Sequence, residues 1–312
     1  MKRLLIIIVI MLLGSEVKAQ EKLYLVFEFM KVDNEQDLMR AIEKLGLPLM
    51  IKSRFDSYDG KGNLKLSCES QIDEVFERFK HGKLLAQEFI QFNEEEICNA
   101  LDAPTHPITI ALRKPIESCS LPITDLLKII GGVRQDLNHK PFASFIELES
   151  YSDHVAGAVG RLSARIFGDV RNTKVLAYAS ELGIACQFTN ILRDIAEDRE
   201  NRRVYIPLEL LQKYDLNFSN SEPKDTETVK SMCHEFYTIA AEKYRSAFSS
   251  LPKENYKEQR PGIIMGMIYL NLLKKIKKKK FNVFDKKISL NTIEKLNAGW
   301  KGLWGKIPDL NT

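Results

Sequence analysis

The chain has 312 residues and a formal net charge of +4, with 44% hydrophobic and 28% charged residues. These ordinary globular values exclude a disordered chain, a collagen-like fibre and a protein with many membrane spans. The length suffices for one large domain or two medium ones. So small a net charge does not indicate a nucleic-acid partner, and we expect none. Five cysteines without a CxxC pair predict neither a zinc site nor a disulfide framework.

Residues 1–19 have the pattern of a secretory signal peptide. Lys2 and Arg3 precede an apolar run over residues 4–13, and cleavage is expected after Ala19. The run is short for a membrane span, and a buried strand or helix is the alternative. Export would bring five unpatterned cysteines into an oxidising compartment. The leader and the cysteines therefore predict different locations.

Residues 20–92 predict a small α/β segment. Alternating apolar residues indicate strands, and apolar residues three and four apart indicate helices. The predicted strands cover residues 22–30, 47–54, 64–68 and 84–92. The predicted helices cover residues 37–45 and 70–80, and a glycine-rich turn covers 59–63.

Helical periodicity replaces the strand patterns from about residue 93 to the end of the chain. We therefore predict an all-α domain over residues 93–312, after the leader and the α/β segment. The predicted helices cover residues 94–101, 108–117, 122–137, 142–167, 171–198, 207–213, 229–248, 261–276 and 291–307.

The strongest candidate site lies between residues 187 and 207. Asp194 and Asp198 are four residues apart, so both carboxylates should leave one helix face. Asn190 and Gln187 lie on earlier turns of that face. Two like charges at this spacing repel, and a hard cation such as Mg²⁺ with a bound phosphate relieves the repulsion. Four nearby arginines add the positive charge that a diphosphate leaving group needs. A solvated acidic helix face is the alternative interpretation.

A second pattern is the glycine-containing string from Tyr151 to Gly160. It places Gly157 and Gly160 along one helix face. Glycine costs about 1 kcal/mol in a helix interior, so its presence there has a cause. Close helix packing is one interpretation, and a channel for a long, flat apolar chain is the other.

Three strings, YSDHVAGAVGRLS, LGIACQFTNILRDIAEDRENRRVYIP and MGMIYLNLLKKI, resemble the squalene/phytoene synthase family. The resemblance covers about residues 92–307 and implies an all-α isoprenoid-synthase helical bundle, here without its N-terminal helices. It implies a prenyltransferase that joins two farnesyl or geranylgeranyl diphosphates head to head, with Mg²⁺ or alternatively Mn²⁺. The implied product is presqualene diphosphate, squalene or phytoene, for hopanoid, sterol or carotenoid biosynthesis. NADPH is implied only if the product is squalene.

The same resemblance assigns roles to individual residues. It implies that Asp194, Asp198 and Asn190 hold the metal. The residues with an implied catalytic role are Asp194, Asp198, Arg193, Arg203 and Tyr205. The implied substrate-binding residues are Tyr151, Val155, Gly157, Gly160, Gln187, Asn190 and Asp136. One departure is Arg202, which stands where the family usually has glycine, and a surface loop should tolerate it.

The first aspartate-rich motif of that family does not occur in the sequence. Its nearest substitute, Asp73 to Glu77, is better explained as an ordinary exposed helix. Residues 46–95 instead resemble a fragment of an ATP-grasp enzyme of the carboxyaminoimidazole ribonucleotide synthase group. This resemblance implies ATP-phosphate contacts at Lys52 and the glycine loop 59–62, and an adenine contact at Glu88. Two alternatives follow: a catalytically impaired or rearranged relative, and an ATP-grasp-type nucleotide binder.

A run of lysines follows the apolar helix predicted at residues 261–276. It is either a solvated charge run or a peripheral contact with anionic lipid, at roughly 1 kcal/mol per basic residue. A C30 or C40 hydrocarbon product must leave into a bilayer, which favours the contact. We therefore expect a cytoplasmic protein at the inner membrane face. The run comprises Lys274, Lys275, Lys277, Lys278, Lys279 and Lys280.

Overall fold

The chain forms two compact units in its computed structural model, divided between Arg113 and Lys114. This division falls after the boundary predicted between residues 92 and 93, which stays a prediction. The predicted leader, the glycine loop 59–62 and most of the helix predicted at 94–101 lie outside the described residues. The structure describes residues 29–47, 49–53, 63–79, 84–88, 97–98, 101–102, 107–137, 139–168, 172–218, 226–284 and 287–303.

The first unit is a four-stranded antiparallel sheet with two helices. Its elements are β1 (Phe29–Val32), α1 (Glu35–Leu45), β2 (Leu49–Ser53), β3 (Asn63–Leu66), α2 (Ile72–Phe79) and β4 (Leu84–Glu88). The strand order is β1-β4-β2-β3, so β4 lies between the two strands that α1 connects. Apolar side chains from strands and helices form one core, among them Val32, Leu38, Leu49, Val75 and Leu84.

Local sequence signals explain the ends of α1. The Asn34 Oδ1 atom accepts a hydrogen bond from the Asp37 backbone N–H at 2.9 Å, which caps the first turn. Gly46 ends the helix at φ 74, a conformation that glycine adopts without strain. The helices predicted at 37–45 and 70–80 and the last three predicted strands are confirmed. Of the first predicted strand, only residues 29 and 30 lie within the described part of the chain, and both belong to β1.

The helices of the second part of the chain follow the predicted order. Among the described elements, only α3 spans the division at Arg113 and Lys114. The elements are α3 (Pro107–Ser118), α4 (Ile123–Leu137), α5 (Phe145–Ser152), α6 (Ala158–Phe167), α7 (Thr173–Arg193), α8 (Ile195–Glu200), α9 (Leu208–Lys213), α10 (Glu227–Ser250), α11 (Arg260–Lys278) and α12 (Thr292–Leu303). The all-α prediction for this region is confirmed.

Helix α7 is the centre of the helical unit. It packs against α6, α10 and α11, and its buried side chains face several directions. Within the described residues α7 alone has the length and composition of a membrane span, and 61% of its most apolar window is buried inside the protein. Its position is that of a core helix.

Two helices that were predicted as continuous contain interruptions. The one predicted at 142–167 consists of α5, a π-helical turn over Asp153–Gly157, and α6. The one predicted at 171–198 breaks at Asp194, which lies between α7 and α8 with φ −101. The hydrogen bonds continue through this break, because the Asp198 N–H donates to the Asp194 carbonyl oxygen at 2.8 Å. The two aspartates therefore remain one turn apart.

Glycines let α6 and α7 approach closely. A Cβ atom on Gly160 would lie 2.0 Å from the Ala179 carbonyl oxygen, and one on Gly183 would lie 2.3 Å from the Ala156 carbonyl oxygen. No real side chain fits at these distances. The structure therefore favours close helix packing, one of the two interpretations of the glycine string.

Candidate functional site

Asn190, Asp194 and Asp198 form a polar strip along the junction of α7 and α8. The Asn190 Oδ1 atom is buried and has no hydrogen-bond partner within the described part of the chain. The Asp194 carboxylate accepts a hydrogen bond from Arg193 Nε at 2.7 Å. Lys287 Nζ lies 3.2 Å from Asp194 Oδ1. The strip thus combines a paired carboxylate with an amide oxygen that lacks a donor.

Asp198 is the least compensated acid of the strip. Burial, together with the charges of Asp194 and Glu197, raises its pKa to about 7. Arg203 opposes this rise but does not cancel it. A carboxyl group whose pKa is raised by burial and by neighbouring carboxylates is a candidate cation ligand.

Asp198, Arg203 and Tyr205 line one pocket. The Arg203 backbone N–H donates to the Asp198 carbonyl oxygen at 2.8 Å, which closes the turn after α8. Arg202 lies in this turn at φ 57, a left-handed conformation that explains why glycine suits the position. The rest of the lining is mostly apolar and comprises Ile191, Ile195, Arg199, Val204, Ile206 and Phe218.

A buried tyrosine–aspartate cluster adjoins this pocket through Tyr205. Asp136 Oδ1 accepts hydrogen bonds from the Tyr151 and Tyr205 hydroxyls, both at 2.7 Å. Burial raises the pKa of both hydroxyls, so they stay protonated at neutral pH. The rings of Phe142 and His139 pack around them, at 5.0 Å from Tyr151 and 4.6 Å from Tyr205 respectively.

The structure brings most of the predicted site residues together. Arg193, Asn190, Asp194, Asp198 and Arg203 belong to the strip and its pocket. Tyr151, Asp136 and Tyr205 form the cluster beside it. The remaining predicted residues lie in helix packing. Gln187 on α7 and Val155 and Gly157 in the π-helical turn are buried, and Gly160 is half-buried against the Ala179 backbone.

The donors of the strip suit a hard divalent cation. In the described ranges no group of three or more His, Cys, Asp or Glu side chains forms a metal site. Asn190, Asp194 and Asp198 nevertheless provide three oxygen donors on successive turns. The unpartnered amide oxygen and the raised pKa of Asp198 both fit Mg²⁺, which prefers oxygen ligands.

Two residues of the strip's surroundings were missed from the sequence. Lys287 Nζ lies 2.6 Å from Glu197 Oε2 as well as near Asp194. Because Lys287 is 90 residues from Glu197, no local spacing could indicate it. Burial raises the pKa of the Tyr269 hydroxyl, and the nearby Asn190 side chain opposes this rise. The position of Tyr269 in the string MGMIYLNLLKKI was the available signal.

A second acidic cluster lies at the π-helical turn. Arg161 hydrogen bonds to Asp125 at 2.7 Å and to Asp153, and Lys128 Nζ donates to Asp153 at 2.7 Å. Ser180 adds a bond of 3.0 Å to Asp153. Burial opposes ionisation of Asp153, but the bonds from Arg161 and Lys128 outweigh it and hold its pKa well below the usual range.

The carboxylates proposed as a substitute first motif belong to the sheet unit. Ile72 and Val75 of α2 enter its core, while Asp73, Glu74 and Glu77 are exposed. The exposed-helix interpretation is therefore confirmed. Of the predicted ATP contacts, Lys52 and Glu88 lie on the neighbouring strands β2 and β4, and the glycine loop 59–62 lies outside the described residues. All five cysteines are free thiols.

Comparison with protein families gives two matches. Residues 68–294 match the squalene/phytoene synthase model, and residues 18–100 match the ATP-grasp domain model. The first match begins before the sequence resemblance noted from about residue 92, and the two matches overlap in the sheet unit.

Characterised relatives carry the same family names. The phytoene synthase of Mycobacterium tuberculosis is 28% identical over 199 residues, which are 62% of this chain and 66% of that protein. A 15-cis-phytoene synthase of Synechocystis is 30% identical over 207 residues, 62% of this chain and 61% of that protein. The presqualene diphosphate synthase of Zymomonas mobilis is 39% identical over 137 residues, 40% and 46% of the two chains. The chain thus spans less than two thirds of the length of these relatives.

Solved structures support the fold. A dehydrosqualene synthase superposes with a TM-score of 0.60 at 21% identity, over 68% of this chain and 76% of that one. A squalene synthase from Alicyclobacillus acidocaldarius superposes with a TM-score of 0.53 at 22% identity, over 61% and 72% of the two chains. The helical unit therefore has the all-α isoprenoid-synthase fold.

Proposed function

This chain belongs to the squalene/phytoene synthase family, and we propose that it joins two prenyl diphosphates head to head in a Mg²⁺-dependent reaction. The proposed substrates are farnesyl or geranylgeranyl diphosphate. The corresponding products are presqualene diphosphate or squalene, or phytoene. The observation that carries the proposal is the pKa of Asp198, which burial and neighbouring carboxylates raise to about 7. Asp198 lies one turn from Asp194 and lines a pocket with Arg203.

The polar strip supplies the diphosphate end of the site. Asn190, Asp194 and Asp198 would hold Mg²⁺, or Mn²⁺ in its place. When bound, the cation would neutralise the negative charge that develops on the departing diphosphate. Arg203, which lines the pocket, would bind phosphate oxygens through its planar guanidinium group. Arg193 holds the Asp194 carboxylate in position.

The apolar part of the pocket suits the reaction that follows. Loss of diphosphate leaves an allylic cation, which must meet the second alkene before it meets water. Ile191, Ile195 and Phe218 supply apolar side chains to the lining. Tyr205 also faces the pocket, but its hydroxyl donates to Asp136 and stays protonated. It therefore offers no anionic nucleophile to the cation.

An impaired relative is the second candidate function. The family's first aspartate-rich motif does not occur in the sequence, and the carboxylates of α2 are exposed on the sheet unit. If the strip works without an opposing motif, turnover should be slow while diphosphate still binds.

An ATP-grasp-type nucleotide binder is the third candidate. The match over residues 18–100 supports it. Binding of ATP that Lys52→Ala abolishes is the expected result for this function.

The proposed location is the cytoplasmic face of the inner membrane. Five free thiols suit a reducing compartment, and the proposed hydrocarbon product partitions into a bilayer. Peripheral contact through the lysine run at residues 274–280 belongs to this proposal.

Product analysis tests the proposed reaction. Purified protein is incubated with farnesyl or geranylgeranyl diphosphate and Mg²⁺, with and without NADPH. We expect a C30 or C40 product, and conversion to squalene only with NADPH. Asp194→Ala should lower the rate at least about 100-fold, whereas Glu200→Ala, at the exposed end of α8, should not. A folded wild-type protein that binds diphosphate and makes no product would favour the impaired relative.

A further inference from the structure

The outer face of α12 presents three large apolar side chains. Ile293, Leu296 and Trp300 are 77%, 68% and 63% exposed. Their spacing of three and four residues places them on one line of the helix, which we call the α12 stripe. Ala298 is fully buried, and Glu294 pairs with Lys275 of α11 at 2.7 Å. Because these two residues lie on the opposite face, the α12 stripe points away from the bundle.

A concentrated positive charge adjoins the α12 stripe. Residues 274–303 contain ten lysines against Asp285 and Glu294, a net charge of +8, while the whole chain carries +4. The rest of the chain is therefore net negative. Lys277 to Lys280 are exposed at the end of α11. The Lys275–Glu294 pair places this end beside the first turn of α12.

We propose that the α12 stripe and the exposed lysines 277–280 form one surface that binds anionic lipid bilayers. Helix α12 lies in the interfacial plane, with Ile293, Leu296 and Trp300 inserted among the acyl chains. The lysines contact the headgroups, and their aliphatic stems extend along the apolar boundary. This inference rests on the proposed membrane location but not on the prenyl chemistry.

Charge complementarity favours lipid over other occupants. A second copy docked on this face would bring two sets of the exposed lysines 277–280 together, and these repel. A nucleic acid would use aromatic platforms for base stacking, whereas two of the three stripe residues are aliphatic. An anionic bilayer accepts both the lysines and the apolar stripe.

Vesicle flotation with the full chain tests the surface. The vesicles are phosphatidylcholine alone or with one third phosphatidylserine. We expect binding to the anionic vesicles, with neutral ones bound at least about 30-fold more weakly. Replacing Lys278, Lys279 and Lys280 by Gln should weaken binding about 100-fold, at about fivefold per charge. Replacing Ile293, Leu296 and Trp300 by Ser should weaken it at least about tenfold.

Matched control variants make the same types of substitution outside the proposed surface. Ile146→Ser changes a side chain that is 82% exposed on α5, and K253Q with K257Q removes two exposed lysines outside the surface. Both should bind like wild type. Equal binding to neutral and anionic vesicles, or an Ile293/Leu296/Trp300 variant that binds like wild type, would overturn the proposal. So would a dimer that dissociates when the stripe is replaced.

Tryptophan fluorescence gives a second readout that leaves the stripe intact. The chain has two tryptophans, so Trp304→Phe leaves Trp300 as the single reporter. We expect a blue shift and quenching by brominated acyl chains with anionic vesicles only. Unchanged emission with these vesicles would contradict insertion. Because none of these measurements needs substrate, failure here is distinguishable from failure of the proposed reaction.

Discussion

Two acidic clusters in the helical unit reach opposite electrostatic states. At the π-helical turn, Asp125 and Asp153 share the charges of Arg161 and Lys128, and the pKa of Asp153 is held well below its usual range. At the junction of α7 and α8, burial and two neighbouring carboxylates raise the pKa of Asp198 to about 7. Balanced charge in the first cluster stabilises the architecture. In the second cluster, Asp198 keeps its raised pKa although Arg193 and Lys287 pair with Asp194, and a carboxyl group in that state suits a cation ligand.

The two clusters also differ in packing: the first is closely packed, and the second contains an unpartnered polar atom and a strained backbone. Gly157 leaves space for Asp153, since a Cβ atom there would lie 2.3 Å from Asp153 Oδ1. The junction of α7 and α8 instead keeps a buried amide oxygen on Asn190 without a donor and a left-handed Arg202. Unsatisfied groups and strained backbone persist mainly where function needs them.

The largest expected effect on stability comes from breaking the balanced cluster. Asp153→Asn leaves Arg161 partly buried with one partner fewer, and should lower the free energy of unfolding by about 3 kcal/mol. Chemical denaturation at pH 7.5 measures it. Asp198→Asn is the contrasting variant. Its free energy of unfolding should not fall, because the substitution removes a carboxylate that its neighbours repel. Equal losses in both variants would show that the two clusters do not differ.

The packing beneath the balanced cluster is tested by glycine substitutions. Gly160→Ala forces a Cβ atom against the Ala179 carbonyl oxygen and should cost about 2 kcal/mol. Gly131→Ala is the matched control, because its nearest contact would be His154 Cδ2 at 3.9 Å. It should stabilise α4 by up to about 1 kcal/mol. Thermal unfolding compares them, and a tolerated Gly160→Ala would argue against packing as the reason for this glycine.

The two clusters should give opposite pH dependences of stability. The pKa of Asp198 in the folded state is raised to about 7, so the folded state keeps the proton up to a higher pH than the unfolded state does. The free energy of unfolding should therefore fall as pH rises from about 4 to 7, by at most about 1.4 kcal/mol per pH unit. The pKa of Asp153 is lowered, so its contribution is present above about pH 4 and is lost in acid. Denaturation across pH 3–8 without added metal measures both.

Single variants separate these contributions. Asp198→Asn should remove part of the decline between pH 4 and 7 and leave the acid limb unchanged. Asp153→Asn should flatten the acid limb alone. The opposite assignment would contradict a raised pKa for Asp198 and a lowered pKa for Asp153.

The smallest expected effect concerns the turn after α8. Arg202→Gly relieves the left-handed backbone at φ 57 and should raise the free energy of unfolding by about 0.5–1 kcal/mol. Glu200→Gly, in α8, should instead lower it by about 0.5–1 kcal/mol. A Tm shift measures both variants. A loss of stability in Arg202→Gly would mean that the arginine side chain outweighs the strain.

The sequence predicted the helices of the bundle because their apolar periodicity is local. It also placed Asn190, Asp194 and Asp198 on one face, and the structure keeps them on successive turns. The π-helical turn and the break at Asp194 were not predictable from periodicity, because a single displaced residue changes the pattern little. The bonds of Lys287 and Arg161 join residues distant in sequence, so only the folded chain shows which carboxylates are compensated.

Calorimetric binding of inorganic diphosphate tests most directly whether the strip is the cation site. Three proteins are titrated with and without Mg²⁺: the wild type, the double variant Asp194→Asn/Asp198→Asn, and Asp153→Asn. Asp153→Asn is measured below its melting temperature. We predict Mg²⁺-dependent binding that the double variant weakens at least about 100-fold without loss of fold, and that Asp153→Asn retains. Binding that is independent of Mg²⁺, or that survives the double substitution and is lost in Asp153→Asn, would contradict the account.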